Sequence, residues 1–529
     1  MIGDRMTHDP QSLVPRAVDD APSTGEAWSK NPGMPPAPEK FVETCEALLG
    51  AGDGMAGLKL ILETIAVHQQ EWQLSMAGAS LVLRFTTRYD IVEILLRNVI
   101  RLQPDKVPAQ AFLAHLQIVR GDLGGGCASF ARMMATYPEH KAEIGEFISM
   151  SLLEVGYPAE ALEVLKSLFK DGDETASLLN NAGCALERLN RSTEALPWYE
   201  KALRRESGRK AIIFGYACTL IKAGQFERGW PVYFGRELQI GRQQEWLRAM
   251  PRLRPEVDVA GKRILLFQEQ GLGDTLQFIR HASTLAARGA RVDISVPQPL
   301  IRLLRHSFPD MTVLEPGVIS ETGAYDYVSP IPDLPYITGM RTVHDIPAAV
   351  PYLSEVPSDR ERMGALLPSG RPRIGLVWAG ERRHRSEFAL ADMRRSISFN
   401  DMAGAILPAD AIFVNLQFGA PREELKAWTG QMIYDPMGDV RDLADTAALM
   451  RGLDLIISVD TSPVHLAGAL GCPVWLISRW DACWRWGDEG TGSPWYPTMR
   501  VFRSNQRSFQ PVLEEVAKAL RLWIDMRPA

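Results

Sequence analysis

A spacing of 34 residues runs through the first half of the chain and restricts the fold more than any other feature. Leu152, Leu186 and Leu220 recur at that step, as do Ala161, Ala195 and Gly229, and again Leu165, Tyr199 and Tyr233. The turn residues Gly156, Asn190 and Gly224 keep it as well. Pro104 and Pro138 share the interval, with a one-residue slip of phase before the later units. Small residues in one column and large ones in another let two helices of a hairpin pack closely, and such hairpins must stack on neighbours to bury their apolar faces. The pattern predicts an α-solenoid of helical hairpins with LLNNAGCALERLNRSTEALPWYEKAL (178–203) as its clearest unit, and residues 41–70 add a further repeat or a cap. The domain so read covers 37–240. Its concave face suits an extended peptide or a partner helix, with scaffolding of the following domain as the competing role.

A length of 529 residues allows about three domains at ~150 residues each. The net charge of −6 and the absence of a Lys/Arg-rich run argue against a nucleic-acid partner. Six cysteines without a CxxC pair give no zinc motif and no secreted disulfide framework, which fits a reducing cytoplasm. No apolar run reaches the ~18 residues of a membrane span. Residues 1–36 are Pro-rich and weakly apolar, the composition of a disordered tail.

After a connection at 241–262 the pattern changes to strand–helix alternation, which predicts two Rossmann-like α/β halves, 263–355 and 372–529. Apolar strands are expected at ILLF (264–267), VDISV (292–296), IGLVWAG (374–380), AIFVNLQ (411–417), LDLIISV (453–459) and PVWLI (473–477), and a last amphipathic helix at 511–526 is expected to pack across both halves. Two strand–turn–helix junctions stand out. In DTSPVHLAGALG (460–471), Ser462 reads as an N-cap and Pro463 as the first helical residue, so the free N–H groups and the helix dipole form an anion site. GLGDTLQF (271–278) makes a second such junction after ILLF. One site in each half suggests a nucleotide-linked substrate held between them at the strands' carboxyl ends.

These segments carry a resemblance. EQGLGDTLQFIRHA (269–282), GLVWAG (375–380), LADTAALMRGLDLIISVDTSPVHLAGALGCPVW (443–475) and WRWGDEGTGSPWYPTMRVFR (484–503) resemble the bacterial tetratricopeptide-repeat glycosyltransferases, whose catalytic region is of GT-B type and similar to the heptosyltransferase superfamily. The resemblance covers almost all of 100–510. It implies metal-independent transfer of a sugar from a CMP-, UDP- or ADP-linked donor, with no cofactor beyond that substrate. Asp274 occupies the place of the family's proposed general base. Donor contacts fall on Gly271, Gly273, Arg395, Ser396, Gln417, Asp460, Thr461, Ser462 and His465: Thr461, Ser462 and the N–H groups near His465 cradle the phosphates, Arg395 and Ser396 add a charge-assisted contact, Asp460 accepts from a ribose hydroxyl, and Gln417 reads the base.

Plainer roles compete. Asp274 and Asp460 suit helix caps, His465 a helix histidine bonded to a carbonyl, and Arg395 a solvated charge; His281 and His384 are the substitute bases. Trp475, Trp480, Trp484, Trp486 and Trp495 suit core and cleft wall, and Arg485 and Arg500 suit cation–π contacts among them. Between Gly380 and Arg394 the segment ERRHRSEFALADM replaces the family's shorter polar one, which suggests a different sugar or nucleotide. The reading preferred is a cytoplasmic protein O-glycosyltransferase acting on Ser or Thr of an acceptor held by the repeats. Flagellin is the leading acceptor, and a nonulosonic acid such as pseudaminic acid is one candidate sugar. The alternatives are a transferase for surface polysaccharide or lipopolysaccharide core, and a non-catalytic adaptor that senses a sugar nucleotide.

Overall fold

The computed structural model describes residues 37–50, 53–318, 324–347, 349–370, 372–381 and 386–527. The predicted tail at 1–36 and His384 lie outside the described residues. The fold class is the expected one, an N-terminal α-solenoid followed by a GT-B-type pair of parallel-sheet α/β domains. The chain divides into two compact units, one containing 37–185 with 386–394 and the other 186–381 with 395–527.

The helical unit is built from successive hairpins: Pro38–Gly50 with Gly54–Val67, Trp72–Phe85 with Tyr89–Leu102, Val107–Val119 with Leu123–Thr136, and Lys141–Glu154 with Pro158–Lys170. The spaced columns have distinct structural tasks. Leu152, Leu165, Tyr199, Leu220 and Tyr233 are buried, as are Ala161 and Ala195. At Gly229 a Cβ would lie 2.7 Å from Ile221 Cγ1, so the column of small residues marks close helix approach. Gly156, Asn190 and Gly224 all have positive φ (86°, 57° and 75°), the left-handed turn that closes each hairpin. Ser386–Arg394 forms a helix in this unit, where Arg394 donates to the Glu154 carbonyl.

Residues 186–240, which continue the repeat in sequence, belong to the α/β unit. Trp230 and Tyr233 pack edge-on or tilted against Trp484, and Trp230 also meets Phe278 and Trp495. Lys222 Nζ is fully buried and donates to the Glu187 carbonyl, Glu187 Oε1 and the Ala482 carbonyl, each at 2.8 Å. Three donors with three acceptors satisfy a buried ammonium. Arg236 is likewise enclosed between Glu269 and Asp333, both at 2.6 Å.

Two parallel sheets follow. The first has β1 (Arg263–Phe267), β2 (Arg291–Ser295), β3 (Thr312–Leu314) and β4 (Tyr327–Pro330), in the order β3-β2-β1-β4. The second has β5 (Arg373–Val377), β6 (Ile412–Asn415), β7 (Leu455–Val459), β8 (Val474–Ser478) and β9 (Met499–Arg503), in the order β6-β5-β7-β8-β9. Strands buried on both faces read as Val/Ile/Leu runs, which is why β7 is buried throughout and apolar except for Ser458. The order reverses beside β1 and beside β5, so the crevices at the carboxyl ends of β1, β5 and β7 are where an open α/β sheet takes a ligand. In the connection before β1, Leu253 N donates to the Val328 carbonyl at 2.8 Å, which runs that segment along β4. The last helix, Gln510–Asp525, corrects the expectation that it bridges the halves. Val512, Leu513, Val516 and Leu520 enter the second sheet's core with Ile374, Phe399 and Ile457. Among the described residues no helix is long and apolar enough to cross a membrane.

Candidate active site at the facing strand ends

At the end of β1 the chain turns through Gln270, a non-glycine residue at φ 70°, into the short helix Leu272–Phe278. Gly271 is its N-cap, and Gly271 N donates to Asp274 Oδ2 at 3.1 Å. The other carboxylate oxygen of Asp274 accepts from Arg485 Nη2. Arg485 also donates through Nε to Gln277 Oε1 at 2.8 Å, and its guanidinium lies 4.3 Å from the centre of the Trp484 ring. Burial opposes the charge on Arg485, but the surrounding groups, Asp274 first among them, together outweigh it and raise its pKa. The structure therefore corrects the expectation of an anion site at this helix end. The chain's own carboxylate already takes the N-terminal donor, and a phosphate would meet its charge. Gly273 gives clearance instead: a Cβ there would lie 2.8 Å from His465 Cδ2.

The junction after β7 is different. Asp460 ends the strand, Thr461 is the N-cap with φ −150°, and the helix runs Ser462–Ala469, so the cap lies one residue before the predicted Ser462 and Pro463 is the second helical residue. Thr461 makes no side-chain cap hydrogen bond, and no acidic residue lies in the first turn. With no side-chain cap and no first-turn acid among the described residues, this helix end keeps donors that attract an anion. His465, in the next turn, is buried; its Nδ1 lies 3.0 Å from the Tyr496 hydroxyl and its ring stacks on Trp486 at 5.3 Å. Its partner is thus a phenol rather than a carbonyl. Burial, reinforced by the Arg485 charge and opposed by Asp460, pushes its pKa down to about 3.

At the end of β5, Gly380 N donates to Ser396 Oγ at 3.2 Å. The Arg395 guanidinium covers Gly380, where a Cβ would lie 2.6 Å from Cζ, and Nη2 is 3.4 Å from the Glu381 carbonyl. Arg395 is buried, not a solvated surface charge. Gln417 does not have the geometry of a base reader. Its Oε1 accepts from Trp378 N at 3.1 Å and Ala379 N at 2.9 Å, while Nε2 donates to the Phe418 carbonyl at 2.9 Å. The amide braces the ends of β5 and β6, because those backbone groups leave their ladders there and still need partners. His281 is bonded to Thr338 Oγ1 at 2.8 Å, and burial followed by the Arg280 charge holds its pKa at about 3.

The sequence reading did not assign Tyr496, nor the ion pairing of Arg485. The signal for the second was present, since an arginine inside an aromatic run such as WRWGDEG is buried and needs an opposite charge. Among the described residues, no three His, Cys, Asp or Glu side chains come together as a group that could hold a metal ion.

No protein-family profile matches the chain. It is similar to Protein FlbA of Caulobacter vibrioides, with 26% identity over 489 residues, 79% of each chain. Among solved structures it is similar to the ADP-heptose lipopolysaccharide heptosyltransferase II of E. coli, at 18% identity over 50% of this chain and 99% of that one, with a TM-score of 0.35. It is also similar to the glycosyl transferase family 9 protein of Veillonella parvula, at 12% identity over 47% and 88% of the two chains, with a TM-score of 0.33.

Proposed function

We propose that this protein is a metal-independent glycosyltransferase that moves a sugar from a nucleotide-linked donor to Ser or Thr of a protein acceptor in the cytoplasm. The observation that carries the reading is the Ser462 helix end at the carboxyl end of β7, with no side-chain cap and no first-turn acid among the described residues, and with Gly273 of the first half against its His465. The acceptor oxygen attacks the anomeric carbon and its proton passes to Asp274. The bond from that carbon to the donor phosphate breaks, and its electron pair leaves on the phosphate. The backbone N–H groups and dipole of the Ser462 helix stabilise that charge. Asp274, ion-paired to Arg485, takes the proton as the acceptor oxygen bonds to the anomeric carbon. The helical unit supplies a surface of stacked hairpins for the acceptor, and flagellin is its first candidate. The donor is CMP-, UDP- or ADP-linked, with a CMP-activated nonulosonic acid among the candidates.

A second reading has its own support. Asp274 is buried and doubly engaged, as in a scaffold that binds a sugar nucleotide without turning it over. Purified protein incubated with flagellin and each class of nucleotide sugar, followed by intact mass measurement of the flagellin, separates the two. A mass gain equal to one sugar identifies both activity and donor. Nucleotide binding with no gain on flagellin or on lipopolysaccharide core supports the adaptor.

A further inference from the structure

Phe418 stands out from the packing of the rest of the chain. Among the described residues only two aromatic side chains are exposed, Phe418 at 66% and Tyr434 at 38%. A phenyl ring on a free loop would turn back onto the surface to leave water, but here the backbone is held from several sides. Asn415 Oδ1 accepts from Gln417 N at 2.7 Å, and Asn415 Nδ2 donates to Asp435 Oδ1 at 2.8 Å. Gln417 Nε2 donates to the Phe418 carbonyl at 2.9 Å, while its Oε1 takes the N–H groups of Trp378 and Ala379. Gly419 then turns the chain at φ 75°, and its carbonyl accepts from Arg422 N at 3.1 Å. The bonds that disqualify Gln417 as a base reader therefore fix the backbone that presents Phe418.

The place of the ring in the sheet is as informative as its exposure. The order β6-β5-β7 sets three carboxyl ends side by side. The Ser462 helix, with no side-chain cap, follows β7; the Arg395 guanidinium covers Gly380 beyond β5; and Phe418 stands beyond β6. Neighbouring strands lie ~4.8 Å apart, so β6 and β7 are separated by ~10 Å across β5. That separation matches the reach of a nucleoside diphosphate from its base to its phosphates. Along it the chain offers backbone N–H donors, then a guanidinium, then an exposed aromatic ring.

We propose that Phe418 is the stacking platform for the nucleobase of the donor, its ring lying on the face of the base while the phosphates reach the Ser462 helix end. The inference rests on the nucleotide-sugar reading of the site. Stacking uses the π face that every base has, so it holds a base without a hydrogen-bond code and suits a site whose neighbouring amide, Gln417, is committed to backbone.

The test is calorimetry of the full chain with ADP, UDP and CMP, on the wild type and on Phe418→Ala, Phe418→Leu and Phe418→Trp. The side chain is exposed, so all three variants are expected to melt as the wild type does. Phe418→Ala should weaken whichever nucleotide binds the wild type by about tenfold or more, the effect of losing one base–aromatic stack. Phe418→Leu keeps an apolar side chain without a π face and should lose nearly as much. Phe418→Trp should bind at least as tightly as the wild type, and its added fluorescence, taken as the difference from the wild type, should be quenched by the nucleotide. Full affinity in Phe418→Ala or in Phe418→Leu, or a Phe418→Trp signal that ignores the nucleotide, overturns the inference and leaves the donor reading in place. A lower melting temperature in Phe418→Ala with unchanged affinity assigns the ring to packing and overturns it too. If none of the three nucleotides binds the wild type, the donor reading fails and the inference falls with it.

Discussion

Asp274, which follows β1, and Arg485, which follows β8, form a buried ion pair that joins the two α/β halves at the candidate site. One carboxylate oxygen faces the guanidinium while the other caps a helix, so the residue proposed as the base is also a structural element. Activity loss in a single variant cannot separate these roles. Asp274→Asn leaves Arg485 buried without a counter-charge, and Arg485→Gln does the reverse; each should cost about 3 kcal/mol in urea unfolding. The double variant Asp274→Asn/Arg485→Gln replaces the pair with hydrogen-bonded amides and should recover most of that stability. Transfer should stay down by ~100-fold or more in the double variant, because an amide cannot take up the acceptor proton. Recovery of turnover together with stability would assign Asp274 to structure alone.

Gly273 gives a test of how tightly the halves meet. His465 cannot easily retreat from an added methyl group, since Trp486 stacks on it and Tyr496 binds it. Gly273→Ala should destabilise the protein by about 1–3 kcal/mol through overpacking and weaken nucleotide binding in the same variant. Ser462→Ala, by contrast, should be near neutral in stability, because no side-chain cap is lost there. Equal effects of the two substitutions in thermal melts would mean that His465 moves freely.

The spaced columns were legible because each has one physical cause: burial, close approach or a left-handed turn. The buried strands β1, β5, β7 and β8 were legible from their largely apolar runs. β3 has three residues, β4 ends in Pro330, and β9 places exposed Arg500 between buried neighbours, so none gives an apolar run long enough to register. At the site, the residues set by local geometry lay where the strand–turn–helix junctions put them. Gln417 failed as a base reader and Arg485 was missed as an ion-pair partner for the same reason. Each role depends on which groups lie nearby through the fold, 38 and 39 residues away for Gln417 and 211 for Arg485, and spacing along the chain does not encode that.

The repeat pattern continues to residue 234, but its last hairpins draw their core from the sheets. A fragment covering 37–240 would keep Phe226, Trp230 and Tyr233 while losing Phe278, Trp484 and Trp495, and would strip Lys222 of the Ala482 carbonyl. It should bind a dye for exposed apolar surface and lose protection of the amides of 210–234 in hydrogen exchange, while those of 89–170 stay protected. Cooperative melting of the whole fragment without dye binding would show that these hairpins do not need the α/β unit.

Acid should destabilise the α/β unit through His281 and His465 in particular. Both rings are buried, and burial is the first cause holding their pKa values at about 3. In the unfolded chain each titrates near the ordinary value of ~6.5. Between those values the unfolded state holds the extra protons, so stability is full above about pH 6.5 and falls as pH drops, by ~1.4 kcal/mol per pH unit for each histidine. Two rings give a slope of ~2.7 kcal/mol per unit from about pH 6 to 4, read by tryptophan fluorescence in urea, since Trp230, Trp378, Trp484, Trp486 and Trp495 are all buried in this unit. His115, whose pKa burial lowers to about 4, lies in the helical unit and should add nothing to that signal. His281→Gln keeps a polar group beside Thr338 but cannot titrate, so it should halve the slope without moving its pH range. An unchanged slope in that variant would mean that His281 takes up its proton in the folded state, with Nε2 reaching water that the packing around Thr338 is expected to exclude.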